Sequence, residues 1–209
     1  SGHGFAALIL CPIFANEGLP DVAPGFLDGT VAAVRAAGGL IIADEVQPGF
    51  GRVGSHWWGH DWLGFAPDVV TLGKPMGNGH PVGGVVARPV VMAAFRTAFG
   101  YFNTFGGNPV SCAAATAVLD VIEEEGLIDH AAKVSAHFRD RLLALSHPLI
   151  AGVRARGQFY AVELARAGEP APEAAAGIVE AMKLRGILIG RIGRQQHILK
   201  LRPPMPFGS

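Results

Sequence analysis

The sequence predicts an α/β chain: a larger domain with a mainly parallel sheet over residues 1–140, then a smaller α+β domain over residues 141–209. Three observations predict it. Short apolar runs such as "LIIAD" (40–44) and "DVVTLG" (68–73) are bounded by acids and glycine, the pattern of strands buried on both faces. Segments with helical spacing and recognisable caps alternate with these runs. Past residue 140 the composition shifts to an alternating stretch and a Pro/Ala-rich connector.

Taken in order, "AALILCPI" (6–13) reads as a buried strand. "GFLDGTVAAVRAAG" (25–38) places apolar residues at helical spacing and stops at Gly38-Gly39. "LIIAD", "DVVTLG" and "VGGVVAR" (82–88) read as three more strands, and "VVMAAFRTA" (90–98) as a helix. In "FGGNPVSCAAATAVLDVIEEEG" (105–126), Asn108 suits an N-cap, Pro109 a first turn and Gly126 a stop. A second helix is expected over about 129–146. "VRARGQFYAVELA" (153–165) alternates like a single half-exposed strand, a helix is expected over 172–185, and "GILIG" (186–190) and "HILKLRPPM" (197–205) read as the last strands.

The 209 residues are 50% hydrophobic and carry 17 basic and 17 acidic side chains. That balance argues against a nucleic acid or membrane surface held by charge. The most apolar stretches are short and interrupted by proline or arginine, so no spanning helix is expected. Two cysteines, Cys11 and Cys112, lie in apolar stretches; they read as buried thiols of a reducing compartment, the cytoplasm. The opening "SGHGFAALIL" enters a strand almost at once without a Met, so the chain is expected to be part of a longer protein.

In a parallel sheet, ligands gather at the carboxyl ends of strands. "LIIADEVQ" delivers Asp44, Glu45 and Gln47 there, and "DVVTLGK" delivers Lys74 inside the glycine-rich "GKPMGNG". An acid and a desolvated lysine on neighbouring strand ends meet two needs of pyridoxal phosphate: a Schiff-base amine and a partner that keeps the pyridine nitrogen protonated. A plainer reading makes Asp44 and Glu45 a strand end and a helix cap, with Lys74 on a surface turn. "YFNTFGGNP" (101–109) presents Thr104 and backbone amides ahead of a helix, either an anion site or a simple capped loop. "GFGRVG" (49–54) matches the dinucleotide fingerprint, but "SHWWGHDWLGF" follows where a regular helix should open. His56 and His60 have metal-pair spacing without a third ligand, so no metal is expected. His80 and Cys112 read as structural, Glu123-Glu124-Glu125 as a solvated helix end, and Arg154 and Arg156 as a surface strand bordering a pocket at most.

Together, "IIADEVQPGFGRVG", "DVVTLGKPMGNGHPVGGVV", "YFNTFGGNPVSCAAA" and "HILKLRPPM" resemble the class III aminotransferases, fold-type I pyridoxal-phosphate-dependent enzymes, in order and spacing. The wording is most similar to the sub-branch of alanine–glyoxylate aminotransferase-like proteins and ethanolamine-phosphate phospho-lyases. The resemblance implies pyridoxal 5'-phosphate as cofactor, the large domain of that fold over residues 1–140, and an incomplete small domain after it. It implies that Lys74 forms the Schiff base and moves the proton, and that Asp44 pairs with the ring nitrogen. Val46 would pack on the ring, and Gln47 would reach its hydroxyl. Thr104 would bind the phosphate of the other subunit's cofactor, which implies a homodimer acting on a small amine or amino acid and a 2-oxo acid.

The chain departs from the family pattern in places. Cys11-Pro12-Ile13-Phe14 stands where many members read Glu-Pro-Ile-Gln, and Lys200 stands where carboxylate binders often carry arginine. Arg202, two residues on, is expected on the same strand face, so Lys200 and Arg202 are both candidate substrate-binding residues. The family's phosphate loop and ring-stacking aromatic lie upstream of this stretch, so the chain alone is expected to be inactive. Three readings follow: a transaminase, a phospho-lyase that eliminates phosphate from a phosphorylated amine such as phosphoethanolamine, and a non-catalytic fragment.

Overall fold

Parallel pairing begins with the first two apolar runs. In the computed structural model, which describes residues 4–23 and 25–208, Ala7–Leu10 (β1) pairs in parallel with Leu40–Asp44 (β2). β2 pairs in parallel with Val69–Leu72 (β3), with Asp44 directly opposite Thr71. The fourth strand, Gly84–Ala87 (β4), runs antiparallel to β3. That differs from the expected parallel strand: only a turn around Lys74–Gly77 separates β3 from β4, too short for a crossover. The sheet order is β1-β2-β3-β4.

Helices Asp28–Ala36 (α1), Gly59–Leu63 (α2), Pro89–Ala98 (α3) and Pro109–Glu124 (α4) complete the first compact unit, which gathers residues up to 12, 23–50 and 58–125. α1 lies against β2, and Ile41 and Ala43 point into the core, fully buried. α4 lies against the Lys74–Gly77 turn. Its N-terminus is capped as expected: the Asn108 side chain accepts from the Ser111 amide at 3.0 Å. Cys112, expected in the core, is exposed. α4 buries Ser111 and Ile122, three helical turns apart on one face, and Cys112 is rotated off that face.

The second unit gathers residues 13–22, 51–57 and 126 onward. It starts with Leu127–Leu143 (α5), a single helix that spans the boundary expected near residue 140. The stretch expected as one strand folds as a hairpin, Ile150–Arg156 (β5) and Phe159–Arg166 (β6), turning at Gly157 with φ +49°. The alternation survives a hairpin, so it could not reveal the turn. Glu169–Pro170 (β7) is a short addition to β6, followed by helix Pro172–Lys183 (α6), Gly190–Ile192 (β8) and Ile198–Leu201 (β9). "GILIG" is therefore mostly connector, its last residue opening β8. The sheet order is β5-β6-β9-β8, antiparallel throughout. One face holds the core: Leu142, Tyr160, Val162, Leu164, Ala175 and Leu199, with Phe138 edge-on to Tyr160 at 4.5 Å. Each large apolar side chain buried this way contributes about 1.5–3 kcal/mol. Among the described residues, no helix is long and apolar enough to cross a membrane.

Candidate active site

β2 ends on Asp44, half-buried, and its Oδ1 accepts two hydrogen bonds: from the Val46 amide at 3.1 Å and from Thr71 Oγ1 at 3.3 Å. Both bonds use one oxygen. Among the described residues no hydrogen bond reaches Oδ2, which is the atom left to serve a ligand. The next residue behaves differently. Glu45 is fully buried and accepts from the amides of Gly59 (2.9 Å) and His60 (2.8 Å) and meets His60 Nδ1 at 2.7 Å. It caps α2 from a distance, so the plainer expectation holds for Glu45. It also commits His60, and no group of three metal-ligating side chains occurs among the described residues.

Lys74 follows β3 after Gly73 and opens a short 3-10 turn, with φ +38°. A non-glycine residue in that region costs about 1–2 kcal/mol, and such strain concentrates where a side chain must be aimed. Gly73 is buried, and a Cβ there would stand 3.6 Å from both methyls of Val46, so Val46 packs across the Gly73 backbone. Lys74 itself is exposed, against the expectation of a desolvated amine. β3 ends at Leu72, so the lysine lies beyond the apolar run, at an exposed position of the turn. Gln47 is half-buried in the turns after β2. His80 is structural as expected, bonded to Ser111 Oγ at 2.8 Å.

Thr104 is exposed in the loop ahead of α4. Two amides expected to be available there are taken: Asn103 Oδ1 accepts from Phe105 at 3.1 Å and Gly106 at 3.0 Å. In the second unit, Lys200 is buried on β9 and donates to Asn16 Oδ1 at 3.0 Å. Arg202 is exposed; β9 ends at Leu201, so the expected strand alternation does not extend to it. Arg154 binds Glu163 at 2.6 Å and Arg156 pairs with Asp21, so both belong to ion pairs.

Sequence reasoning missed Thr71, Glu45's three bonds and Arg52. Arg52 donates to Pro203 O at 2.9 Å and lies 5.0 Å over the Phe159 ring. Burial, then the charge of Arg202, pushes its guanidinium down to about 10, while Tyr160 opposes the shift. "GFGRVG" is therefore a packing turn. Gly51 and Gly54 have φ +75° and +73°, and a Cβ on Gly54 would press on the Ala132 backbone at 3.1 Å. No phosphate loop opens a long helix there, since α2 spans 5 residues.

An acid and a strained lysine at the carboxyl ends of adjacent parallel strands fit a cofactor with a ring nitrogen and an aldehyde, and the comparisons agree. The class III aminotransferase family pattern matches residues 2–208, and the chain belongs to that family, whose members depend on pyridoxal phosphate. It is 44% identical over 213 residues to an alanine–glyoxylate aminotransferase 2-like protein of Drosophila melanogaster, covering 99% of this chain and 43% of that one. It is 42% identical to ethanolamine-phosphate phospho-lyase homolog 1 of Caenorhabditis elegans, over 84% of this chain and 39% of that one. Among solved structures, an Arthrobacter phospholyase in complex with phosphoethanolamine superposes with a TM-score of 0.95 at 42% identity. That match covers all 100% of this chain and 50% of that one. The chain thus spans about half the length, or somewhat less, of the relatives it matches.

Proposed function

We propose that this chain is part of a pyridoxal-phosphate-dependent class III aminotransferase that moves an amino group from an amine or amino acid to a 2-oxo acid, with Lys74 bonded to the cofactor. The observation that carries the reading is the placement of Asp44 and the Gly73–Lys74 turn at the same end of neighbouring parallel strands. Bound pyridoxal phosphate would supply an electron sink for charge developing on the carbon beside the amine. Around it, Asp44 Oδ2 would hold a proton at the ring nitrogen, Val46 would cover a ring face, and Gln47 would reach the ring hydroxyl. The Lys74 amine would hold the cofactor and then move a proton at the substrate carbon.

Thr104 would bind the phosphate of the cofactor held by a second copy, making the working enzyme a homodimer. The exposed Phe99, Tyr101, Phe102 and Phe105 around it support an interface there. Lys200 and Arg202 would receive the substrate's acidic group. In this reading the first unit is the cofactor-binding domain and the second is part of the small domain. The cytoplasmic placement belongs to the same proposal and rests on cysteine usage.

A second reading, phospho-lyase, is favoured by the likeness to the phosphoethanolamine-bound phospholyase and by Lys200, a point charge suited to phosphate. The test uses the full-length protein loaded with pyridoxal phosphate and given phosphoethanolamine without oxo acid. Inorganic phosphate release that disappears in Lys74→Ala identifies the phospho-lyase. No release, with Lys74-dependent amino transfer to a 2-oxo acid, identifies the aminotransferase. A borohydride-reducible adduct that persists in Lys74→Ala overturns the lysine's role in both.

A further inference from the structure

We infer that Thr71 is a positioning residue that fixes the Asp44 carboxylate for the cofactor's ring nitrogen. The inference rests on the cofactor reading above. In the run "VVTL" a third β-branched apolar residue would serve the strand as well, so the threonine breaks the local pattern of β3 without a packing reason. The ladder explains it. Thr71 is the residue directly opposite Asp44 in the parallel pair of β2 and β3. Its Oγ1 donates to Asp44 Oδ1 at 3.3 Å.

The second donor to the same oxygen is the Val46 amide at 3.1 Å, from the turn that continues β2. One donor stands on the neighbouring strand and the other on Asp44's own chain. Together they set the plane of the carboxylate and leave Oδ2 without a hydrogen bond among the described residues. A β-branched side chain is stiff about χ1, so the strand backbone itself dictates where the Thr71 hydroxyl points. Remove the hydroxyl, and Asp44 keeps only its local tie, free to rotate about the Val46 contact. In this role Thr71 acts through Asp44.

The test uses the full-length protein and pyridoxal phosphate, with two readouts besides activity: the cofactor dissociation constant and the visible circular dichroism of the bound cofactor. Thr71→Val, nearly isosteric, is expected to weaken cofactor binding roughly tenfold, the size of one hydrogen bond to a charged group, and to reduce the dichroic band. Thr71→Ser is expected to restore both. Binding and dichroism unchanged in Thr71→Val overturn the inference. Should Thr71→Val lower the melting temperature of the cofactor-free protein, the comparison passes to Thr71→Ser and Thr71→Ala, which share the lost methyl. Serine must then hold the cofactor about tenfold tighter than alanine, and equal affinities overturn the inference. Lys74→Ala separates the two levels of argument. A reducible adduct surviving that change overturns the role of Lys74, and with it the placement of the cofactor beside Asp44 on which the inference rests; its loss alongside a normal Thr71→Val defeats only the role of Thr71.

Discussion

The two sheets of this chain use their polar residues in opposite ways. In the first sheet, Asp44 ends one parallel strand and Lys74 follows the next, the acid bonded through one oxygen and the lysine exposed on a strained turn. Along the antiparallel sheet, three charges enter ion pairs: Arg154 with Glu163, Glu163 with His197 just ahead of β9, and Arg156 with Asp21 from outside the sheet. Parallel pairing leaves every strand's carboxyl end on the same side, so groups gather without having to neutralise each other. Antiparallel pairing sets neighbours face to face, where opposite charges settle into pairs. Changes in the first region should cost chemistry, and changes in the second should cost stability.

The glycines break that comparison most directly. A Cβ on Gly157, at the β5–β6 turn, would collide with the Arg52 carbonyl oxygen and the Val53 backbone, and its φ of +49° already disfavours a side chain. Gly157→Ala is expected to destabilise the second unit by upward of about 4 kcal/mol, read as loss of soluble protein or a collapsed thermal transition. Gly73→Ala has room: its Cβ would make ordinary contact with Val46. It should fold normally and instead weaken cofactor binding, measured by titration. If both variants unfold alike, the division between the two regions fails.

Asp44→Asn comes next. Asparagine keeps the shape and an acceptor for the Val46 amide but loses the charge. Activity of the full-length protein with cofactor is expected to fall by on the order of a hundredfold or more, while the melting temperature moves little. The corresponding change in the second unit, Glu163→Gln, should lower stability while leaving cofactor binding intact.

How much of this was legible depends on range. β2, β3, α3 and the Asn108 cap follow from local rules, since an apolar run bounded by turns or an N-cap before proline carries its meaning within a few residues. Lys74 and Asp44 stand out as candidates in the sequence because the carboxyl ends of parallel strands gather ligands. Thr71 was invisible: its meaning is a register, and nothing in "VVTL" states which residue lies across the ladder. The exposure of Lys74 was missed for a related reason, because burial depends on what covers a turn. The hairpin at Gly157 was hidden by an alternation that both its strands share.

Acid sharpens the comparison in a smaller way, because among the described residues each unit holds one carboxylate with a lowered pKa. For Glu163 the hydrogen bond from Arg154 is the main cause; burial opposes it and His197 adds to it. For Asp68 burial pushes the group up, but the Ile41 amide and Arg88 outweigh it. A carboxyl lowered in the folded state contributes stability that is present above the ordinary carboxylate range and is lost as pH falls through the lowered value. Denaturant melts repeated from about pH 6 down to about pH 3 should therefore lose stability at the acid end. Glu163→Gln and Asp68→Asn should each flatten that decline. A decline of unchanged steepness in both would mean that other groups control the acid limb.

The smallest expected effect tests whether the first region also contains purely structural polar groups. Asn108 accepts from the Ser111 amide at 3.0 Å and donates to Phe105 O and Ser111 Oγ, both at 2.9 Å. Ser111 in turn meets His80 just past the Lys74 turn, so the cap joins α4 to the far side of that turn. Asn108→Ala should cost about 1 kcal/mol, a fall of roughly 2–4 °C in melting temperature for a domain of this size. Asn108→Asp retains the acceptor and loses both donors, so it should fall between the two. If cofactor affinity falls with stability in proportion across this pair, the cap acts through folding alone. If affinity falls further than stability, the cap also holds the Lys74 turn in place, and the chemical region reaches back along α4 to its first residues.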